Sequence, residues 1–476
     1  MTYVNLIEHF SSAWNEKVKD TFDKYLSIPN VSPAFDASWE KTGHIEKVVQ
    51  LFEEWARENA PVSSKIYIQR IAGKTPLLVI DIPALNYADN DCVLLYGHLD
   101  KQPPMDGWRE NLEPFQATYI DDRIYGRGSA DDGYALFSSL LACKYLEENN
   151  ISHARMIVII EACEESGSPD LPAHLDELNN TLDEPLGDIS LVVCLDSGCL
   201  TYDHLWITRS LRGLLQINFD VKVLEQGTHS GGAGGIVPSA FHIIRELLDR
   251  IADPRTGAIK LEELKVDIRD DIKQAATNVA KILETTDAHG LPFAEGVEPL
   301  HEDVADQLIA NTYEPQLEII GLEGIPKIED AGNVLRPHIS VALSFRLPPG
   351  VDPQVAAAAV SEQLVKDRSF NAQLSVVVDS LASGWEAPQI QDWLNVVLSD
   401  ASKEYFGNDV QSMGEGGTIP FMAMLGEKYP QAQFMVTGVL GPESNAHGPN
   451  EFLHLPTCMK VTASVSKVLE AHGGRI

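Results

Sequence analysis

Residues 91–100 read Asp-Cys-Val-Leu-Leu-Tyr-Gly-His-Leu-Asp, and residues 155–168 read Arg-Met-Ile-Val-Ile-Ile-Glu-Ala-Cys-Glu-Glu-Ser-Gly-Ser. Each stretch is a short apolar run that breaks into imidazole or carboxylate residues. Runs of four to eight apolar residues read as buried strands. Val93–Tyr96, Met156–Cys163, Ser190–Leu195 and Phe434–Val439 all fit, and Leu77–Ile82 joins them. Helix-like segments lie between. Thr42–Asn59 places Ile45, Val48, Val49, Phe52 and Trp55 at helical spacing, and Gly133–Glu148 is apolar on one side. Strands alternating with helices predict an α/β fold with a doubly wound, mostly parallel sheet.

Outward from this core the pattern changes. Leu214–Leu224, His338–Leu347 and Gln373–Val378 alternate apolar and polar residues, with Ile339, Val341, Leu343 and Phe345 on one face. Alternation belongs to antiparallel sheets with one wet face. Ser239–Ile251 reads as a helix between them, and Thr457–Leu469 as a final helix. The economical division is a catalytic domain over 1–209, a smaller α+β lid and dimerisation domain over 210–382, and the rest of the catalytic domain over 383–476.

Acids and imidazoles recur just after the predicted strands: His98 and Asp100, then Glu164 and Glu165, then Asp196, then His447. Asp131-Asp132 leads into a predicted helix. Ligands of an open α/β sheet gather outside the carboxyl ends of its strands. His98, Asp131, Glu165, Asp196 and His447 can therefore meet in one place. Two imidazoles and three carboxylates suit two divalent ions sharing a carboxylate. Such a pair serves hydrolysis, polarising a carbonyl and acidifying water. A further carboxylate must then take a proton, and Glu164 and Glu165 together can supply one ligand and one base. Taken singly, each of these residues reads as surface, cap or core. Their repetition at successive strand ends carries the metal reading.

The segments GHLD (97–100), GRGSADD (126–132), EESGS (164–168) and NAHG (445–448) resemble the M20 family of co-catalytic metallopeptidases. The resemblance spans roughly Lys17 to Leu469. It implies that His98 and Asp196 bind one ion, Glu165 and His447 the other, and that Asp131 bridges them. It implies Glu164 as general base, Asp100 as the carboxylate tuning the His98 imidazole, and a cis bond between Asp131 and Asp132. The HSGGAGG stretch (229–235) is similar to the family's lid motif. There the resemblance makes His229 an oxyanion donor in a partner subunit's site. It also implies substrate contacts from Asn333, Arg346, Gly417 and Thr418, with Arg346 at a terminal carboxylate. Thr418 stands where the dipeptidase branch commonly has serine.

Within the family the chain looks most like the long, carnosine-dipeptidase-like branch. The implied reaction is amide hydrolysis of a dipeptide in a homodimer joined through the lid. Two divalent ions per subunit are expected, zinc first, with manganese or cobalt as substitutes. Succinyl-diaminopimelate desuccinylase, or another N-acyl amino acid hydrolase, is the enzymatic alternative. A catalytically inactive binding protein is the non-enzymatic one, although every chemical position holds a competent residue.

Composition narrows the partners. Lys and Arg total 36 against 70 Asp and Glu, a formal net charge of -34. Nucleic acid and anionic membranes demand a basic face, so neither is an expected partner. The apolar runs are strand-sized, short of the roughly 18–20 residues of a membrane helix. The N-terminal MTYVNLIEHF lacks the pattern of a secretory signal. The six cysteines form no Cys-x-x-Cys pair, and a reducing cytoplasm is the expected compartment.

Overall fold

The computed structural model of the protein describes residues 5–283 and 293–475. Residues 1–4 of the N-terminal reading lie outside them, as do 284–292 of the expected lid and residue 476.

The central sheet has six strands in the order Lys65–Gln69, Leu77–Ile82, Arg155–Glu161, Asp91–His98, Asp188–Cys194, Gln433–Val436. The last four run parallel to one another. Successive side chains of a strand face opposite sides, and the middle strand shows both faces covered. Val93 and Leu95 join one apolar cluster, with Phe52, Phe137 and Leu140 from helices. Cys92, Leu94 and Tyr96 join another, with Leu175 and Met422 from helices on the far side. This is the expected doubly wound arrangement. Its sheet is mixed at one edge: Leu77–Ile82 runs antiparallel to both of its neighbours. The link from Gln69 to Leu77 is too short for a helical crossover, so only an antiparallel return is open to it.

A second, four-stranded antiparallel sheet has the order Gln316–Glu323, His338–Leu347, Gly213–Lys222, Gln373–Ala382. In register, Leu215 meets Phe345 and Ile217 meets Leu343. Both rows are buried, with Ile339, Val341 and Phe219, beneath helices Ala240–Ile251 and Pro353–Val365. The alternation therefore locates this layer correctly. It misses the edge strand Gln316–Glu323, which is exposed along most of its length and has a register shift between Ile319 and Gly321. It also misses helices Asp270–Leu283 and Val304–Tyr313, which pack toward Trp206 and Met413.

A three-stranded sheet, Trp385–Glu386, Trp206–Leu211 and Gln411–Glu415, lies between the two layers in sequence. Gly213 and Gly384 meet there backbone to backbone: a Cβ on Gly213 would lie 2.8 Å from Gly384 N. Among the described residues no helix is long and apolar enough to cross a membrane.

Candidate active site

Parallel neighbours in the central sheet end on the same side, and that side gathers the acids and imidazoles. His98 is the last residue of its strand. Glu164 and Glu165 open a short 3-10 turn after Arg155–Glu161. Asp196 follows Asp188–Cys194 by two residues. Asp131 precedes helix Ala135–Glu148, and the Asp131–Asp132 bond is cis. His447 stands in the loop between Gln433–Val436 and Phe452–His454.

Asp131 joins the two imidazoles. Its Oδ1 lies 3.2 Å from His98 Nε2, and its Oδ2 lies 3.0 Å from His447 Nε2. Asp196 Oδ2 is 3.9 Å from His98 Nε2, and Glu165 Oε2 is 3.3 Å from His447 Nε2. Donor atoms of His98, Asp131 and Glu165 lie within 4.8 Å of one another, as do those of His98, Glu164 and Asp196. Glu164 therefore faces His98 and Asp196, while Glu165 faces His447.

Asp100, 0% exposed, sits beneath both. Its carboxylate accepts the main-chain N–H of Glu164 and of Glu165, each at 3.1 Å. Its carbonyl oxygen lies 3.1 Å from His98 Nδ1, and its Oδ1 lies 3.4 Å away. Read from the sequence, Asp100 has one task, orienting the imidazole. The geometry adds a second, holding the glutamate turn.

The electrostatics are those of crowded acids. Burial pushes Glu164 well above the usual carboxylate range, and Asp196 adds to it. Burial, then Asp131, does the same to Glu165. Burial and Asp131 push Asp196 up to about 7, against the pull of His98. Burial opposes the change at Asp131, but hydrogen bonds from His447 and His98 hold it low. His447 rises to about 9 despite burial, through Asp131 and Glu165. Glu165 Oε1 and Asp132 Oδ1 are buried without a hydrogen-bond partner. Buried carboxylates this close need positive charge. Imidazole and carboxylate donors with an orphaned oxygen among them fit divalent cations.

The residues expected to touch substrate fall into two further groups. Arg346 Nη1 donates to Thr418 Oγ1 at 2.9 Å, and Thr418 Oγ1 donates to the Arg212 carbonyl at 2.6 Å. Arg346, Arg212, Asn311 and Gly417 line a cavity of about 440 Å³. His229 and Asn333 form the other group. His229 pairs in register with Val334, and Ser230 N donates to Asn333 O at 2.8 Å. Both residues are exposed. Among the described residues no hydrogen bond or ion pair joins them to the acid and imidazole cluster.

Three polar neighbours were not singled out from the sequence. Gln102 Nε2 donates to Glu165 Oε2 at 2.5 Å. Glu415 Oε1 accepts from Ser197 Oγ at 2.6 Å and Gly198 N at 2.7 Å, just behind Asp196. Arg212 faces Arg346; burial, then that second guanidinium, lowers it to about 10. Gln102 follows the GHLD segment closely enough to have been suspected. Glu415 likewise stands two residues before Gly417, whereas nothing in linear spacing marks Arg212.

The profile of peptidase family M20/M25/M40 matches residues 94–471. A cysteinylglycine-S-conjugate dipeptidase of Corynebacterium striatum is 26% identical over 389 residues, covering 81% of this chain and 82% of that one. A Beta-Ala-His dipeptidase of Rattus norvegicus is 26% identical over 370 residues, covering 75% and 72%. In fold, the chain is similar to human carnosine dipeptidase 1, with a TM-score of 0.76 at 18% identity and 98% of each chain covered. Dug1p of Saccharomyces cerevisiae gives 0.77 at 19% identity, again over 98% of each chain. With the match running from the strand that ends at His98 into the final helix, the chain belongs to peptidase family M20/M25/M40 and is a hydrolase of the metallopeptidase class.

Proposed function

We propose that the protein hydrolyses the peptide bond of dipeptides with two divalent ions, zinc by preference and manganese or cobalt as substitutes. The carrying observation is Asp131, whose two oxygens each face a different imidazole at 3.2 and 3.0 Å. His98 and Asp196 would hold one ion, Glu165 and His447 the other, and Asp131 both. When bound, the ions supply electrophilic polarisation of the scissile carbonyl and a lowered pKa for water. Glu164 takes the proton of the attacking water and passes it to the departing amine nitrogen. Burial and Asp196 raise its carboxylate, which favours holding the proton between the two halves of that exchange. Asp100 keeps Glu164 and His98 in place. Arg346 meets the substrate carboxylate with its planar fork; Gly417 bounds the same cavity, and Thr418 accepts a hydrogen bond from Arg346.

His229 and Asn333 belong to this reading only if a second copy brings them over the site. The exposed Ile319, Ile320 and Leu322 of the edge strand Gln316–Glu323 favour such a homodimer. The chain divides, on this reading, at 209 and 382, which is supported by the return of Gln433–Val436 to the central sheet. The compartment proposed is the cytoplasm, in keeping with six free, buried cysteines.

One observation favours a second substrate class. Arg212 and Arg346 share a cavity, and two guanidinium groups suit a substrate carrying an additional carboxylate, as N-succinyl amino acids do. Turnover of an unbiased dipeptide panel beside N-succinyl-diaminopimelate, with zinc or manganese added after chelation, tests both. Release of free amino acids from dipeptides is the expected result. Full activity in the metal-free protein would overturn the proposal.

A further inference from the structure

Arg127 and Glu451 form an ion pair, Nη1 to Oε2 at 2.8 Å, whose side chains are 1% and 0% exposed. The catalytic reading uses neither. Glu451 accepts main-chain N–H groups from Gly128 at 3.0 Å, Ala130 at 3.0 Å and Asp131 at 3.2 Å. Arg127 donates to the carbonyl oxygens of Pro103 at 3.0 Å, His447 at 3.2 Å and Gly448 at 2.7 Å. The pair thus clasps the main chain of Asp131 on one side and of His447 on the other.

Two features set this clasp apart from a general core strut. The loop that carries His447 is unfavourable by itself: Glu443, Asn445, His447 and Asn450 have φ of 65°, 53°, 63° and 65°. Residues with a Cβ resist that left-handed region, so contacts from elsewhere must hold the loop. The His447 side chain is also 57% exposed, so little packing around it sets its direction. Apart from Asp131 and Glu165 at its tip, its direction is set by its backbone, whose carbonyl Arg127 grips. His98 and Asp196 are placed differently, by strands of the central sheet. Among the described residues neither bonds to Arg127 or Glu451.

We propose that Arg127 and Glu451 are positioning residues for the ion on the His447 side, so that one of the two ions depends on this pair more than the other. The inference rests on the two-ion reading. By holding the backbones of Asp131 and His447, the pair brings Oδ2 and Nε2 to 3.0 Å. Removing a hydrogen bond that orients a metal ligand typically costs 10–100-fold in metal affinity.

The test is stepwise metal binding. Metal-free wild type, Glu451→Gln and Arg127→Lys are titrated with zinc against a competing chelator, and with cobalt while recording its visible absorption. Glu451→Gln keeps the shape but sets an uncharged amide against three N–H donors. Arg127→Lys keeps the charge, but one Nζ cannot serve Glu451, Pro103, His447 and Gly448 together. His447→Ala and Asp196→Asn identify which ion is which. The expected result is two ions in wild type. In both clasp variants the ion lost in His447→Ala binds 10–100-fold more weakly, and the other, which shares only Asp131 with the clasp, is weakened less. Two ions at wild-type affinity in either folded variant would overturn the inference, and so would equal weakening of both ions. Should Glu451→Gln fail to fold, Arg127→Lys carries the test. Collapse of both variants, with and without metal, also counts against it, because the pair is then a folding element. Failure of wild type to take up a second ion would instead strike the two-ion reading.

Discussion

Glu164 and Glu165 are adjacent in sequence, held by the same Asp100 carboxylate at 3.1 Å each, and yet are assigned different work. Replacing each with glutamine separates the roles. Glu164 faces His98 and Asp196. Its glutamine variant keeps the volume and loses the proton acceptor, while the Asp131, Glu165 and His447 contacts stand. A positioned general base contributes about 10²–10⁴ in rate, so Glu164→Gln should lose that factor, or about 3–5 kcal/mol of barrier lowering, with both ions retained. Glu165 faces His447 at 3.3 Å and takes a hydrogen bond from Gln102 at 2.5 Å. Glu165→Gln removes an anionic ligand. It should weaken one ion at least as much as the ~10–100-fold cost of losing a mere supporting hydrogen bond, with activity partly restored by excess zinc. The metal-free proteins add an independent check. Burial and Asp196 raise the Glu164 pKa, so its ionised form opposes folding, and that penalty grows as pH rises above the ordinary carboxylate range. Metal-free Glu164→Gln should therefore melt no lower than metal-free wild type at neutral pH. The assay is kcat on a dipeptide beside metal content at fixed free zinc. Turnover of Glu164→Gln within tenfold of wild type at full occupancy would refute the base. Identical metal content in the two variants would refute the division of labour.

Mixing Glu164→Gln with His229→Ala subunits should restore activity at about a quarter of all sites, because random exchange gives half heterodimers with one intact composite site each. No recovery in tag-confirmed heterodimers would place His229 in its own chain's service. Arg346→Met should lower kcat/KM for dipeptides by about 10–100-fold, the worth of a charged hydrogen bond, mostly through KM. An unchanged KM would move the substrate carboxylate elsewhere. Burial, then Arg475, lowers His472 to about 4, beside Ser190 Oγ at 2.7 Å. The unfolded chain takes that proton first, so stability is lost as pH falls from about 6.5 to 4, by up to ~3 kcal/mol. His472→Gln should flatten that part of the acid limb in urea unfolding, and an acid limb identical to wild type would discount the residue.

The apolar runs, with the acids and imidazoles just beyond them, were enough to name His98, Asp131, Glu164, Glu165, Asp196 and His447 as candidates. All but His447, which stands in the loop after Gln433–Val436, lie at or just past a buried strand or just before a buried helix, and a parallel sheet delivers such ends to one side. The alternation of Ile339, Val341, Leu343 and Phe345 likewise located the second sheet, since one face is buried and the other wet. Other features needed the folded chain. Strand direction leaves no trace in periodicity, so the antiparallel setting of Leu77–Ile82 appears only in the sheet. The edge strand Gln316–Glu323 is exposed along most of its length, and the register shift between Ile319 and Gly321 breaks its alternation after four residues. Which Asp131 oxygen meets which imidazole is a matter of side-chain direction. Arg127 and Glu451 lie more than 300 residues apart in the chain, and their pairing exists only because the loops bearing Asp131 and His447 fold onto each other. Local pattern reports what each segment must bury, whereas a contact between distant polar groups is decided by where the packed elements bring their ends.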